Sequence, residues 1–279
     1  MMKPIVVGID GSQAAITAAL WGINEAVSRG VPLRLVSVIK PTHSSADDYE
    51  RDLRHAEISL REAQSAVEAS GKLVKVETEI LRGPAGPVLV EASLDAEMIC
   101  VGSVGIGRYA RSVLGSMATE LAEKAHCPVA VLRTDSDQPP PDFDWIVVRM
   151  TDAPDNDAVV EYAAWEAKLR RAPMLVLGGR PEDLTKHADG EFERRVQDWG
   201  QRHPEVRVYP VTTKDAIAGF LRANDERVQL AVVSGAEAGQ LARLVGPSGH
   251  PLFHHPECSV LVVRGGTART VPAQSRAVW

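Results

Sequence analysis

The sequence has few cysteines and no excess of positive charge, and both shortages narrow the possible functions. Three cysteines occur in 279 residues, Cys100, Cys127 and Cys258, and none belongs to a C-x-x-C pair. An odd number of isolated cysteines argues against a disulfide scaffold and fits a reducing compartment, so we expect buried, inert thiols. The chain carries 31 basic and 37 acidic residues without a basic run, which does not favour nucleic acid binding.

Long apolar runs are also missing. No stretch approaches the roughly 20 apolar residues of a membrane span, and the N-terminal Met1–Pro4 lacks a signal-peptide cleavage pattern. We therefore expect a cytoplasmic protein without a membrane partner. The hydrophobic content of 44% and the length of 279 residues predict two domains, each with a core of its own.

Short apolar runs alternate with helical patterns through the first half. The runs Ile5–Ile9, Leu33–Ile39, Leu73–Ile80, Met98–Val101 and Pro128–Leu132 are predicted to be strands. Strands that alternate with helices indicate right-handed βαβ units and a doubly wound parallel sheet. If the strand order is 3-2-1-4-5, the first and fourth strands flank the switch point at which such sheets bind ligands.

A glycine-rich loop follows the fourth predicted strand. Gly102 and Gly105 are separated by two residues, and nine more residues precede Gly115–Ser116, where a helical pattern begins. Glycines allow close backbone approach, and a helix start offers free N–H groups to an anion. No Gly-Lys-(Ser/Thr) follows, so the loop is not a P-loop. A dinucleotide fingerprint over 105–110 is disfavoured because the helix begins too late, which leaves an ordinary surface loop as the alternative.

The G-x2-G-x9-G-(S/T) spacing resembles the ATP-binding motif of the universal stress protein family. The runs Ile5–Ser12 and Cys127–Arg133 are similar to the first and last strands of that family, so the resemblance covers residues 3–133. It implies a regulatory protein, not an enzyme, that binds ATP with Mg²⁺. The residues that it implies for nucleotide binding are Ile9, Asp10, Val38, Gly102, Ser103, Gly105, Arg108, Gly115, Ser116 and Met117. A bulky residue at Gly102 or Gly115 is expected to abolish binding while the fold persists.

The implied binding roles compete with simpler explanations. Asp10 would bind the adenosine portion, but aspartate is also common in turns at strand ends. Val38 would line the adenine pocket, although a valine suits any core. Arg108 would pair with phosphate, or it is a solvated loop charge. Ser116 would help to hold phosphate, or it caps the helix in the usual way.

The second half repeats the pattern of the first. The run Cys258–Arg264 echoes Cys127–Arg133 at a shift of 131 residues, and a polar, proline-rich stretch separates the copies. We predict a first domain at 1–134, a linker at 135–143, a second domain at 144–265 and a tail at 266–279. Each domain is predicted to be an α/β, doubly wound fold with a five-stranded parallel sheet of order 3-2-1-4-5 and helices on both faces.

The binding features differ between the copies. Thr151 aligns with Asp10, and Pro247 aligns with Ser116. Because proline has neither an N–H nor a hydroxyl, we expect the second half not to bind ATP in the same way. Asp152 would still permit a weakened site.

A group of histidines in the second half raises the question of a metal site. The group comprises His250, His254, His255, Glu257 and Cys258. The i, i+4 spacing of His250 and His254 suits two ligands on one helical face. Pro251 and Pro256 interrupt any such helix, so solvated histidines are favoured over a metal site.

Two other functions compete with regulatory ATP binding. An ATP-hydrolysing enzyme of related fold is one, and a nucleotide-free interaction scaffold is the other. The sequence lacks HIGH-type, KMSKS-type and SGG-x-DS motifs, and the loop has no evident general base, although slow hydrolysis at Asp10 stays open. The resemblance also implies that two domains pair through the last, or closing, strand of each. A tandem chain would satisfy that pairing internally, and two chains are expected to form a homodimer.

Overall fold

The computed structural model describes residues 2–103, 115–133, 145–178, 189–224, 228–240 and 258–264. The first half contains β1 (Ile5–Gly8), α1 (Gln13–Arg29), β2 (Leu33–Ile39), α2 (Ala46–Ala69), β3 (Val76–Arg82), α3 (Ala85–Ala92), β4 (Met98–Gly102), α4 (Ser116–Lys124) and β5 (Val129–Leu132). The second half contains β6 (Trp145–Arg149), α5 (Asn156–Arg170), β7 (Met174–Gly178), α6 (Asp189–Arg202), β8 (Val208–Thr212), α7 (Ile217–Ala223), β9 (Val228–Ser234) and β10 (Ser259–Val263). Short 3-10 helices cover Ser93–Asp95 and Gly235–Gln240.

The strands form one sheet in the order β3-β2-β1-β4-β5-β10-β9-β6-β7-β8. Read inwards from each outer edge, each half has the predicted order 3-2-1-4-5, and its strands are parallel. The two closing strands, β5 and β10, pair antiparallel, with Ala130 opposite Leu261. The α/β class and the parallel order of each half are therefore confirmed, and the two sheets are continuous with one another.

Apolar residues explain the strands at the centre of the sheet. The strands β1, β5, β7 and β10 are buried along their whole length, as continuous apolar runs in a parallel sheet covered on both faces should be. The helices α1, α2, α5 and α6 pack on one face, and α3, α4 and α7 pack on the other. All three cysteines are buried and free. Burial raises the pKa of Cys127 and of Cys258 to about 12, which fits inert thiols.

The third strand differs from the prediction. The sequence pattern placed it at Leu73–Ile80, whereas β3 covers Val76–Arg82. The side chain of Leu73 is 97% exposed, so it contributes nothing to the core. The strand is an outer strand whose residues are half-buried or exposed, and its register against β2 pairs Val76 with Leu33. An isolated apolar residue after Gly71 was therefore a misleading signal.

Four buried charges join the two halves on the face that carries α1 and α5. We call Glu25, Arg29, Glu166 and Arg170 the junction cluster. Arg170 Nη2 lies 2.9 Å from Glu25 Oε1 and 3.0 Å from Glu166 Oε2, and Arg29 pairs with Glu25. Both carboxyl side chains are 0% exposed, and Arg170 also lies 4.4 Å above the ring of Trp21. Residues from both halves therefore share one buried ionic contact.

Within the described ranges, no helix is both long enough and apolar enough to cross a membrane.

Candidate functional site

A cleft opens in the first half where the predicted binding residues converge. It lies at the carboxyl ends of β1 and β2, between α2 and α3, and has a volume of about 220 Å³. The residues that line it are Gly8, Ile9, Asp10, Val36, Ser37, Val38, Ile39, Lys40, Asp52, His55, Ala56, Ala85, Leu89 and Met117. Four of the residues singled out from the sequence therefore share one wall, namely Ile9, Asp10, Val38 and Met117.

The other predicted residues lie beside the cleft or outside the described ranges. Gly102, Ser103, Gly115 and Ser116 join β4 to α4 and are not among the residues that line the cleft. Ser103 is buried, its N–H donates to Leu132 at 2.7 Å, and its carbonyl accepts from the Gly115 N–H at 2.9 Å. Gly105 and Arg108 lie outside the described residues.

Asp10 shapes the turn between β1 and α1. Its Oδ1 accepts the Ser12 N–H at 2.9 Å, and Gly11 between them has a φ of 84°, which favours glycine. Ser12 in turn caps α1, because its hydroxyl accepts the Ala15 N–H at 3.1 Å. The turn role that the sequence left open is therefore present, and Asp10 also lines the cleft.

Three titratable residues at the cleft were missed from the sequence. Lys40 follows β2, and Asp52 and His55 lie on α2. Asp52 Oδ2 is 3.1 Å from His43 Nε2 and 3.7 Å from the Lys40 ammonium. Asp52 and His55 belong to a charged helix whose pattern is typical of a solvated surface, and Lys40 follows a strand, so no sequence signal separated them from their neighbours.

Gly102 lies so close to α1 that the packing leaves no room for a side chain. This changes what we expect of a bulky residue at that position. A Cβ at this position would lie 2.7 Å from Ala14 Cβ and 2.9 Å from the Ala14 carbonyl carbon. These contacts are too short, so a side chain would displace the start of α1. For Gly102 we therefore expect a bulky residue to destabilise the fold as well as any binding. At Gly115 a Cβ would meet only Ser103 O at 3.5 Å, which is an ordinary contact.

The helix α4 begins without a side-chain cap. Gly115 is the N-cap residue and makes no side-chain hydrogen bond, and the first turn contains no acidic residue. Ser116 is the first helical residue and is exposed, so its expected alternative as the N-cap is wrong. Free amides at a helix start carry partial positive charge. Met117, the second residue of α4, lines the cleft, so the helix begins close to it.

The corresponding region of the second half is occupied by protein side chains. Met150 N–H donates to Leu177 just as Ile9 N–H donates to Val36, which places Thr151 at the position of Asp10. Asn156 Oδ1 accepts the Thr151 N–H at 2.7 Å. Arg195 on α6 pairs with Asp152 at 2.7 Å and reaches the Thr151 carbonyl at 3.4 Å.

An aromatic ring covers the end of β7. A Cβ at Gly178 would lie 2.1 Å from the ring of Phe192, so glycine is needed for this contact. Phe192, Val196 and Trp199 are the buried residues of α6, with the same spacing as Ala56, Leu60 and Ala63 of α2. Phe192 therefore corresponds to Ala56, which lines the cleft of the first half.

Metal ligands do not cluster in the part of the chain that the structure describes. No group of three or more His, Cys, Asp or Glu residues is placed there to hold an ion. Of the histidine-rich group singled out from the sequence, Cys258 is described and buried. The remaining members, like Pro247, lie outside the described residues.

Known proteins resemble this chain along nearly its whole length. The family model described as "Universal stress protein family" matches residues 1–133. Universal stress protein Rv2624c of Mycobacterium tuberculosis H37Rv is 79% identical over 263 residues, which cover 94% of this chain and 97% of that protein. Universal stress protein Rv3134c of the same strain is 37% identical over 269 residues, covering 94% and 96%.

A solved structure extends the similarity to the arrangement of both halves. The crystal structure of a universal stress protein from Archaeoglobus fulgidus DSM 4304 matches with a TM-score of 0.70, covers 95% of this chain and 97% of that one, and is 19% identical. At this identity the match concerns the fold alone. The repeated fold and the identity to full-length relatives lead to one conclusion: the chain is a tandem member of the universal stress protein family.

Proposed function

We infer that the first half binds ATP in the cleft between β1, β2 and α2. The observation that carries this proposal is a cleft at the carboxyl ends of β1 and β2 that is lined by Met117, the second residue of α4. Doubly wound sheets bind ligands at this edge, beside the point where the strand order reverses. The glycine spacing after β4, which resembles the ATP motif of the family, supports an adenine nucleotide.

The charges around the cleft favour one orientation of the nucleotide. Apolar side chains, among them Val38, Ala56 and Leu89, offer a surface for a flat base. The carboxylates of Asp10 and Asp52 would repel phosphates, whereas the free amides at the start of α4 attract them. We therefore place the base and ribose near the carboxylates and the phosphates near α4. Mg²⁺ would enter with the phosphates, because it binds mainly through phosphate oxygens and water.

We propose that ATP acts as a regulatory ligand and not as a substrate. Of the two carboxylates at the cleft, Asp10 already accepts the Ser12 N–H, and Asp52 already lies against His43. Neither is therefore an obvious general base. A ligand changes conformation or assembly only through different affinities for the two states, so the effect of ATP should appear as such a difference. Slow hydrolysis would be compatible with this role.

Two further parts of the proposal concern location and assembly. The free, buried cysteines support a reducing compartment, and we propose the cytoplasm. The closing strands already pair within one chain, so we propose that two chains form a homodimer through another surface. Light scattering of the purified chain, with and without ATP, measures the assembly directly.

The proposal is tested by counting the nucleotide bound to the purified protein. Denaturing the protein releases any bound nucleotide, which chromatography identifies and quantifies, and the emptied chain is then titrated with ATP. We expect one ATP per chain. Two per chain would mean that the second half also binds, and no binding in either measurement would leave the interaction scaffold.

Matched variants locate the ATP on the first half. Asp10→Asn keeps an oxygen acceptor for the Ser12 N–H while it removes the charge, so the fold should persist. We expect it to weaken ATP binding about tenfold, as the loss of one charged hydrogen bond does. Thr151→Ala changes the corresponding position of the second half and should leave the affinity unchanged. Equal effects of the two variants would contradict the assignment.

A further inference from the structure

The helix α4 receives its C-terminal contact from the other half of the chain. Arg264, directly after β10, donates a hydrogen bond from Nη2 to the carbonyl of Ala122 in the last turn of α4. These residues are 142 positions apart in sequence, and the β5–β10 pairing brings them together. A cation at a helix C-terminus also interacts favourably with the negative end of the helix dipole.

Arg264 replaces a hydrogen bond that α4 does not make for itself. In a continuing helix the His126 N–H would donate to Ala122, four residues earlier. Here the His126 N–H donates instead to the Ser93 hydroxyl at 2.8 Å. Ala122 is 0% exposed, so water cannot easily supply the partner. A buried carbonyl without a partner is costly, and Arg264 prevents that cost.

Other residues of the second half pack against the same helix. Ala238, in the 3-10 helix Gly235–Gln240, is buried in one core cluster with Ala118 and Leu121 of α4. Gly235 leaves room for the aliphatic part of Arg264, because a Cβ there would already lie 3.4 Å from Arg264 Cγ. The second half therefore contacts α4 along its side and at its C-terminal end.

We propose that Arg264 is a positioning residue for the nucleotide site and that the second half holds α4 in place through it. The helix has nine residues, so a displacement at Ala122 is transmitted along a rigid element to the amides at Ser116 and Met117. This inference rests on the proposed ATP site, because it assigns the phosphates to that end of α4. It gives the second half a role that needs no ligand of its own.

The test compares ATP with adenosine on the full chain and on Arg264→Met. Methionine keeps the unbranched stem over Gly235 but cannot donate to Ala122. We expect about a tenfold loss of ATP affinity, as for one charge-assisted hydrogen bond. Adenosine has no phosphate, so its affinity should stay within about twofold of wild type. Arg264→Lys retains a donor and should recover part of the ATP affinity.

A control separates this contact from charge in general. Lys124 is also a cation at the C-terminal end of α4, but its side chain is 60% exposed and pairs with Glu120. Lys124→Met removes the same charge without touching the Ala122 carbonyl, and it should leave ATP affinity unchanged. An equal loss in both variants would overturn the specific role of Arg264, as would equal losses for ATP and adenosine.

Hydrogen exchange tests the positioning without any ligand. In Arg264→Met the amides of α4 should exchange faster than in wild type, and Arg264→Lys should restore part of the protection. Unchanged exchange and unchanged ATP affinity in a folded Arg264→Met chain would overturn the inference. If wild type binds no nucleotide, the proposed function fails, and the exchange data alone decide whether Arg264 holds α4.

Discussion

The two halves of the chain have the same strand order but differ at the edge where a ligand would bind. In the first half Ala56 and Val38 leave a cleft of about 220 Å³. In the second half Phe192 covers Gly178, and Arg195 pairs with Asp152 across the corresponding turn. Both halves keep buried strands and a buried stripe on the equivalent helix. The same strand order therefore accommodates an open cleft in one half and, among the described residues of the other half, side chains packed over the corresponding edge.

The largest effect should come from filling the open cleft as the second half does. Ala56→Phe places an aromatic ring at the position that Phe192 occupies in α6. Because Ala56 lines the cleft, the ring would take the space of the base, and we expect ATP affinity to fall at least 100-fold. Calorimetric titration measures the loss. Circular dichroism and thermal unfolding establish that the variant is folded.

A smaller side chain at the same position should cause a smaller loss of ATP affinity. Ala56→Val adds two methyl groups and should weaken binding less than phenylalanine does, since it fills less of the cleft. If a folded Ala56→Phe chain bound ATP as wild type does, the nucleotide would not occupy this cleft. The correspondence between Ala56 and Phe192 would then have no functional meaning.

Within the junction cluster, the carboxyl group of the first half, Glu25, has more arginine partners than that of the second half, Glu166. Glu25 forms ion pairs with both Arg29 and Arg170, whereas Glu166 forms one with Arg170 and also lies against the Glu25 carboxyl group. Burial, together with the nearby Glu25 carboxylate, raises the pKa of Glu166 from 4.5 to about 8. The folded state therefore holds a proton that the unfolded state releases above about pH 4.5. This contribution to stability is complete below that pH, falls as the pH rises, and is lost above about pH 8.

Glu166→Gln should remove this pH dependence. Glutamine resembles the protonated carboxyl, so the variant and wild type should have similar free energies of unfolding near pH 5. As the pH rises to 9, wild type should lose on the order of 3 kcal/mol relative to the variant. Urea unfolding at several pH values measures the difference. Glu25→Gln is the contrast: it removes the carboxylate that two arginines share and should destabilise the protein at every pH. Parallel pH profiles of wild type and Glu166→Gln would contradict the shifted pKa.

The sequence predicted the fold well because the fold depends on patterns that many residues share. Buried runs such as Ile5–Ile9 predicted the strands, and the repeat at a shift of 131 residues predicted two halves with the same strand order. Single residues were less reliable. Leu73 was assigned to a strand because it is apolar, but its exposure depends on where the outer strand begins pairing with β2.

The candidate site was predicted less completely, since it depends on contacts between distant residues. Asp10, Val38 and Met117 were found because the resemblance to the family implies them, and all three line the cleft. Asp52 on α2 was missed because its neighbours are equally charged, and the arrangement with His43 exists only after folding. The sequence predicts from Pro247 that the second half does not bind ATP in the same way, and among the described residues Phe192 supplies a second physical reason for that expectation.

Variants at Gly102 and Ser234 compare the last residue of the fourth strand in the two halves. They show whether each half is packed around its own residue at this position. Gly102 pairs with Leu132, and Ser234 pairs with Val263, so the two positions correspond. Gly102→Ser should lower the free energy of unfolding by about 2 kcal/mol, because its Cβ would overlap Ala14. Ser234→Gly loses a hydroxyl contact with Glu237 and should cost about 1 kcal/mol. Chemical unfolding of both variants measures the difference, and equal losses would mean that Ala14 moves away freely.

The smallest effect should come from the ion pair between Asp152 and Arg195. Their side chains are 64% and 40% exposed, and an exposed pair contributes about 0.5 kcal/mol. Asp152→Ala should therefore hardly change the unfolding midpoint. It should also leave the stoichiometry at one ATP per chain, because Phe192 still covers the end of β7. If the variant bound a second ATP, the ion pair would be what closes the second half, and Phe192 would only pack the core. The nucleotide count and the unfolding midpoint of this one variant thus separate a site closed by an aromatic ring from a site closed by a surface charge.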